Sequence, residues 1–452
     1  MFGRNKLTII YGIICLGLIV FVHELGHFIA ARICGVTVES FSIGMGPILL
    51  HKTIKGTDYR LSLLPFGGYC GMKGESAFQD ALDKKLPFIP KEEKSFYGVH
   101  PLKRAFIAFS GPAMNVIFAF IAFTIIALTG YTYYSADNRI ILANEIIPNS
   151  YSAAQKAGLV TGDKIIAIND TPIRTFSEIT EQIGTNPNEN LKITVLRDNQ
   201  QIDFFVPIIL DKSSGTGKLG VMNWIDPIIA NVEENSIAQK AGFLPGDKIL
   251  SINEEPIKNT ADIQKQLIDN TQLNFKILRN NDQNLKDISI IYNTKSNLGL
   301  QFSVPSHEAS RYSLGPAIIQ GIKETGNMIS LTFKSLGLLF KGIDLKQAVS
   351  GPVRMTVMLG DTVKTGFSSS IRVGLVSTLN FLALISISLF IMNLLPIPVL
   401  DGGLILFAII ETIKRKPLNP KIMYYTQFIG IAFIIAIFGI ALFSDINFLF
   451  SK

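Results

Sequence analysis

Four stretches of the chain are long and apolar enough to cross a lipid bilayer: residues 7 to 31, 105 to 130, 373 to 395 and 422 to 443. Crossing about 30 Å of hydrocarbon takes roughly 20 helical residues. Lipid offers no partner to a free backbone group, so each stretch is expected to be a helix. With 48% hydrophobic and only 17% charged residues, the 452-residue chain is too apolar for an ordinary soluble protein. Residues 132 to 372 are polar and must fold outside the bilayer. The expected architecture is two spans, a soluble insert and two further spans.

Charge placement sets the expected topology, because short loops rich in Lys and Arg stay cytoplasmic. The loop at 32 to 104 carries Lys52, Lys55, Arg60, Lys73, Lys84, Lys85, Lys91, Lys94, Lys103 and Arg104, and the loop at 405 to 421 carries Lys414, Arg415, Lys416 and Lys421. Both loops are therefore assigned to the cytoplasm, with the insert and both termini on the far side; Arg4 and Lys6 oppose this weakly. The net charge of +7 reflects topology and contact with lipid headgroups. The basic residues are spread along loops and not interleaved with aromatics on one face, which argues against nucleic-acid binding. Arg4 and Lys6 before an apolar run resemble a signal peptide, but no small-residue cleavage site follows, so the stretch is kept as a span. Cys15, Cys34 and Cys70 all precede the insert, which must be stabilised by packing and not by disulfides.

The insert contains one pattern twice, "YSAAQKAGLVTGDKIIAINDTPI" from Tyr151 and "NSIAQKAGFLPGDKILSINEEPI" from Asn235. Gly158 recurs as Gly242 and Gly162-Asp163 as Gly246-Asp247, a constant shift of 84 residues (242 minus 158), which argues duplication of a whole module. Each copy is expected to be a short helix closed by glycine, a Gly-Asp turn and then strands, that is, a small α+β unit. The pattern resembles the PDZ domains of bacterial envelope proteases, which bind extended peptides or chain ends by strand addition. A spacer or size filter with an empty groove is the alternative.

Within the first span stands "FVHELGHF", residues 21 to 28. A lone histidine in an apolar helix is more often a packed core residue, but an acid and two histidines within about a turn and a half are costly in lipid and point to function. His23 and His27 are four apart, so both imidazoles leave one helical face and can share a metal; Glu24 stands beside them, placed to move a proton. Zinc suits imidazole nitrogen with carboxylate oxygen, and a catalytic site needs a third protein ligand. Asp401, in "MNLLPIPVLDGG" at 392 to 403, is the acid bordering a late span. Pro396 and Pro398 break the helix there and Gly402 and Gly403 allow close backbone approach, so Asp401 either completes the site or caps a helix at the cytoplasmic surface.

"HELGH" in the first span, "SGPAMN" at 110 to 115, the tandem repeat and "NLLPIPVLDGG" at 393 to 403 together resemble the site-2 protease family of regulated intramembrane zinc metalloproteases. The resemblance implies that His23, His27 and Asp401 are zinc ligands and Glu24 the general base. It makes Asn393 a substrate-orienting or transition-state amide, with an interhelical hydrogen bond as its alternative role. Gly111, Pro112 and Asn115 match the family's "GPxxN" signature and, with Gly402 and Gly403, are expected to support the site through a kink and close helix approach. Relatives often carry histidine after "LDGG", where this chain has Leu404. The implied activity is cleavage within the transmembrane segment of single-pass proteins in the bacterial inner membrane. It would be the second cut of a signalling cascade of the anti-sigma-factor type, or clearance of remnant signal peptides. A non-catalytic PDZ scaffold with a vestigial metal site is the rival, and a metal transporter or sensor a weaker one.

Two further segments bear on substrate handling. Residues 36 to 75 show strand-like pieces separated by Gly44, Gly46, the "KGTD" turn and Gly67-Gly68, expected as a β-sheet lying against the membrane. The resemblance implies that it presents an edge to an unwound substrate, with sealing of the first span as the alternative, and His51 in it is expected to be a surface residue. Residues 315 to 342 place Ile318, Ile322, Ile329, Phe333, Leu336 and Phe340 at near-helical spacing, expected as an amphipathic helix on the outer membrane surface or packed on the PDZ pair. The expected fold is thus an α-helical multi-pass membrane protein with four transmembrane helices and two inserted α+β PDZ domains. The expected divisions are a first span with HExxH at 1–35, a cytoplasmic β-region and loop at 36–104 and a second span at 105–131. PDZ copies follow at 132–222 and 223–305, then amphipathic helices and linker at 306–372, a third span with LDGG at 373–404, and a cytoplasmic loop with the fourth span at 405–452.

Overall fold

A computed structural model describes residues 5–147, 150–211, 215–269, 271–279, 284–292, 297–339 and 351–450. Arg4 and Phe340, both weighed above, lie outside the described residues. The chain forms two compact units, Met1–Tyr131 with Ala309–Lys452, and Thr132–Glu308. Among the described residues four helices are long and apolar enough to cross a membrane: Leu7–Cys34, Pro101–Thr129, Ile371–Asn393 and Pro420–Ile446.

The helical unit begins with α1 (Asn5–Cys34), followed by strands β1 (Val38–Ile54) and β2 (Thr57–Met72), the short α2 (Glu75–Asp83) and the second span α3 (Pro101–Thr129). The start of α3 is fixed by Pro101 in its first turn and by His100, whose side chain accepts the Leu102 N–H. As expected from the sequence, the glycines of the β-region separate strand pieces: residues 40–43 pair both with 68–71 and with 58–61, residues 48–54 pair with 57–62 around the turn at Lys55-Gly56, and register shifts run from Val38 to Leu50. Gly44, Gly46 and Gly67 stand at positive φ between these pieces, as bulges and turns require. His51 is exposed and pairs with Asp58 at 3.1 Å, as a surface residue.

The second unit holds the two copies. In the first, α4 (Ala153–Ala157) is capped by Ser152 and closed by Gly158 at φ 96°, and is followed by β3 (Lys164–Ile168), α5 (Phe176–Gly184), β4 (Asn190–Arg197) and β5 (Gln200–Pro207). In the second, α6 (Ile237–Ala241) is capped by Ser236 and closed by Gly242 at φ 89°, and precedes β6 (Lys248–Ile252), α7 (Thr260–Asp269), β7 (Gln272–Arg279) and β8 (Asn284–Ile291). Each copy builds a four-stranded sheet of the same order, with a two-residue strand at one edge (Thr171–Pro172, Glu255–Pro256), then β3-β4-β5 or β6-β7-β8. Alternate residues Leu191, Ile193 and Val195 in one copy, and Leu273, Phe275 and Ile277 in the other, enter separate buried cores.

The Gly-Asp turn is explained by an ion pair repeated in both copies. Buried Asp163 takes two bonds of 2.8 Å from Arg197, and the same guanidinium donates to the Gly158 carbonyl that ends α4. Buried Asp247 takes bonds of 2.8 and 2.7 Å from Arg279, which donates to the Gly242 carbonyl. Each aspartate also accepts a backbone N–H of its own turn, from Val160 or Leu244.

Back in the helical unit, the chain continues through α8 (Leu314–Leu339), α9 (Pro352–Ser369), α10 (Ile371–Asn393), α11 (Asp401–Lys414) and α12 (Pro420–Phe450). The amphipathic segment does not lie on a lipid surface alone: α8 packs along α3, burying Ala317 and Thr325, and a side chain at Gly321 would overlap Thr124. Its Ile319, Ile322 and Phe333 stay exposed. Helices α1 and α9 meet backbone to backbone, since a Cβ at Gly12 would overlap the Thr356 carbonyl and one at Gly360 the Thr8 carbonyl. The buried carboxylate of Asp445, near the end of α12, accepts the Gly351 and Val353 N–H groups at 3.0 and 2.9 Å and so caps α9. In the third division, 373–404, the helix breaks before its prolines, as expected. It stops at Asn393, and residues 405 to 414, expected as loop, belong to α11, which opens at Asp401.

Asp247→Ala should leave Arg279 half-buried without its partner. The opening free energy of the β6–β7 amides should fall by roughly 3 kcal/mol, read by hydrogen exchange on the full chain, while the β3–β4 amides keep their protection.

Candidate metal centre and active site

The site is assembled from helix ends and glycines. His23 and His27 leave the same face of α1 with their ring centroids 4.8 Å apart. Pro396 and Pro398 prevent α10 from continuing, and the segment turns through Leu394–Leu400 before α11 restarts at Asp401. Side chains at Gly402 or Gly403 would overlap the carbonyls of Leu394, Leu395 and Ile397, so only glycine lets α11 begin this close to the preceding turn. The first position of a helix also favours a carboxylate electrostatically.

As a result one oxygen of Asp401 stands 3.2 Å from His23 Nε2, the other 3.4 Å from His27 Nε2, and the two Nε2 atoms are 3.2 Å apart. All three side chains are largely buried, 10 to 14% exposed. Three donors held about 2.0–2.1 Å from one tetrahedral centre would stand about 3.3–3.4 Å from each other. His27 Nδ1 lies 2.9 Å from the Ile107 carbonyl, which can only accept, so the proton sits on Nδ1 and Nε2 offers a lone pair. Two imidazole lone pairs facing a carboxylate repel unless a cation or a proton lies between them, and the spacing is that of donors around one metal ion. The donor set therefore fits zinc.

Helix α3 supplies the wall. A Cβ on Gly111 would overlap Nε2 of His27 and crowd that of His23, so this glycine leaves the space in front of both nitrogens. Gly26 of α1 lies against the Ser110 carbonyl in the same way. Pro112 lacks the N–H that would pair the Ala108 carbonyl, yet α3 stays helical through it.

Asn115 does more than allow close packing. It is fully buried, its amide nitrogen lies 3.1 Å from His23 Nδ1, and its Oδ1 has no hydrogen-bond partner among the described residues. Turned over, the amide accepts from Nδ1–H through Oδ1, which leaves His23 Nε2 as a lone pair. Ser386 of α10 anchors the Asn115 carbonyl at 3.0 Å. The sequence offered only a spacing for this residue; its partner lies 92 positions away. Asn393 ends α10 with its amide 3.5 Å from His23 Nε2, beside the donor set.

Glu24 and His27 line a cavity of about 220 Å³ with Asp401, Cys70, Tyr97 and Leu404. Strand β2 forms one side of it. A Cβ on Gly68 would come within 3.1 Å of the Glu24 side chain, so that glycine brings the strand against the acid. Leu404 is an apolar part of this lining.

Residues 11–437 match the model of peptidase family M50. A candidate zinc metalloprotease of Treponema pallidum (strain Nichols) is 40% identical over 448 residues, covering 98% of this chain and 100% of that protein. A second candidate zinc metalloprotease, from Borreliella burgdorferi, is 30% identical, with 97% and 98% covered. The regulator of sigma-E protease RseP of Escherichia coli (strain K12) is 31% identical over 468 residues, with 96% and 97% covered. An apolar four-span unit with a buried His-His-Asp cluster, matched from near its first residue to near its last, is a member of peptidase family M50, the site-2 type of zinc metalloprotease.

Proposed function

We propose that His23, His27 and Asp401 hold one zinc ion and that Glu24 is the general base in hydrolysis of a peptide bond within or beside the transmembrane helix of a single-pass protein. The observation that carries this is the mutual 3.2–3.4 Å spacing of the three donors in an apolar, four-span unit. Zinc, when bound, supplies a Lewis acid that polarises the scissile carbonyl and makes water acidic enough to attack near neutral pH. Glu24 takes the proton of the attacking water and delivers it to the leaving amine. Asn393 orients the substrate, while Asn115 and the Ile107 carbonyl fix the two imidazoles with Nε2 towards the centre.

A helical peptide bond is enclosed by side chains and hydrogen-bonded, so the substrate must be extended before attack. The β1–β2 hairpin next to Glu24 offers strand edges on which an unwound segment can pair. The two copies in the insert, 132–222 and 223–305, act as PDZ domains that screen bulky ectodomains or capture a newly cut chain end. The basic residues in 32–104 and 405–421 support a cytoplasmic side for both segments and a periplasmic side for the insert of an inner-membrane enzyme. Several relatives are named as regulators of sigma E. This supports a second cut that releases a cytoplasmic fragment such as an anti-sigma factor, with removal of leftover signal peptides as a related task.

Glu24→Gln should lower the rate of substrate cleavage by roughly 10²-fold or more while zinc content, measured by elemental analysis, stays near one per chain; undiminished cleavage would rule out the mechanism. Asn115→Leu, which keeps the volume and removes the acceptor, should weaken zinc binding by about 10–100-fold in competition with a chelator. Gly111→Ala should abolish zinc retention while the helical content is kept.

A further inference from the structure

The helical unit has a second cavity, of about 290 Å³, which shares only Tyr97 with the lining of the metal centre's cavity. Its lining includes Pro101, the first residue of one span, and Pro417 and Leu418, which precede the start of another at Pro420, so it lies at headgroup depth. Lys91, Arg104, Arg415 and Lys416 line it together with His100. The one carboxylate there, Glu411, is already paired with Arg104 and accepts the Leu418 N–H at 3.1 Å. Among the described residues Lys91, Arg415 and Lys416, also on the wall, form no ion pair.

Two donors add direction to the charge. Arg104 is only 8% exposed, and its Nε has no hydrogen-bond partner among the described residues. A buried donor without an acceptor is unfavourable until something accepts from it. His100 Nδ1 accepts the Leu102 N–H, which leaves its proton on Nε2 as a further donor. Guanidinium, ammonium and imidazole N–H groups around a small cavity match the several acceptor oxygens of a phosphate. We propose that this cavity binds a phosphate group, supplied by an anionic phospholipid headgroup or by soluble phosphate.

Native mass spectrometry of the full chain in non-ionic detergent, with three probes, tests this: dioleoylphosphatidylglycerol, dioleoylglycerol with the same tails and no phosphate, and inorganic phosphate. The variant Arg415→Asn/Lys416→Gln changes two exposed residues, and Asn tolerates the left-handed backbone of position 415 (φ 51°). Phosphatidylglycerol should bind about tenfold or more tighter than dioleoylglycerol, and the double variant should lose roughly tenfold of that affinity. Saturable binding of inorganic phosphate that the same variant weakens would support the site with a soluble ligand. Equal binding of the two lipids with no uptake of phosphate, or affinities unchanged in the double variant, would overturn the proposal.

Discussion

The contact on which the helical unit depends is that of two imidazoles on α1 with a carboxylate at the start of α11. Three electron-rich groups are held within 3.4 Å of one another in apolar surroundings, which no arrangement tolerates without a cation or a proton between them. Such closeness requires helices that touch at their backbones. Gly26 against Ser110, Gly111 against the imidazoles and Gly402-Gly403 against the preceding turn each occupy a spot where a methyl group would force the elements apart. The glycines thus define the centre as much as its donors do, and they explain why the same short motifs contain both.

The buried carboxylates elsewhere among the described residues are likewise paired. Asp163 and Asp247 are held by arginines that also tie down the end of a short helix, so each copy in the insert locks its turn, helix and sheet with one side chain. Asp445 ends its span against the open N–H groups of α9, and Glu411 joins Arg104 across α3 and α11. In an apolar setting an unpaired member of any of these would be expensive, which makes them joints between elements as well as polar exceptions.

The sequence made some of this legible. Four spans stand out because length and apolarity alone decide membrane crossing, and the duplicated module because its 84-residue shift is constant. The histidine pair is visible because residues four apart share a helical face. Other features depend on information no local pattern holds. The 14 residues of α11 are too short to span a membrane and followed a proline break, so they passed for loop. The glycines in 44–68 divide the β-region into paired pieces as the sequence suggested, but the close contact of Gly68 with the Glu24 side chain is not a local pattern. Helix α8 has the amphipathic pattern of a surface helix, and only coordinates show that its small residues face α3. Asn115 meets His23 through a side-chain contact between two spans, which spacing along either helix cannot reveal.

X-ray absorption at the zinc edge of the purified full chain tests the metal centre most directly. A first shell of nitrogen and oxygen at about 2.0–2.1 Å, with scattering from two imidazole rings and no sulfur, is the predicted result, and Asp401→Ala should remove one light ligand from that shell. A sulfur shell at about 2.3 Å, or a spectrum that Asp401→Ala leaves unchanged, would contradict the placement of zinc between α1 and α11.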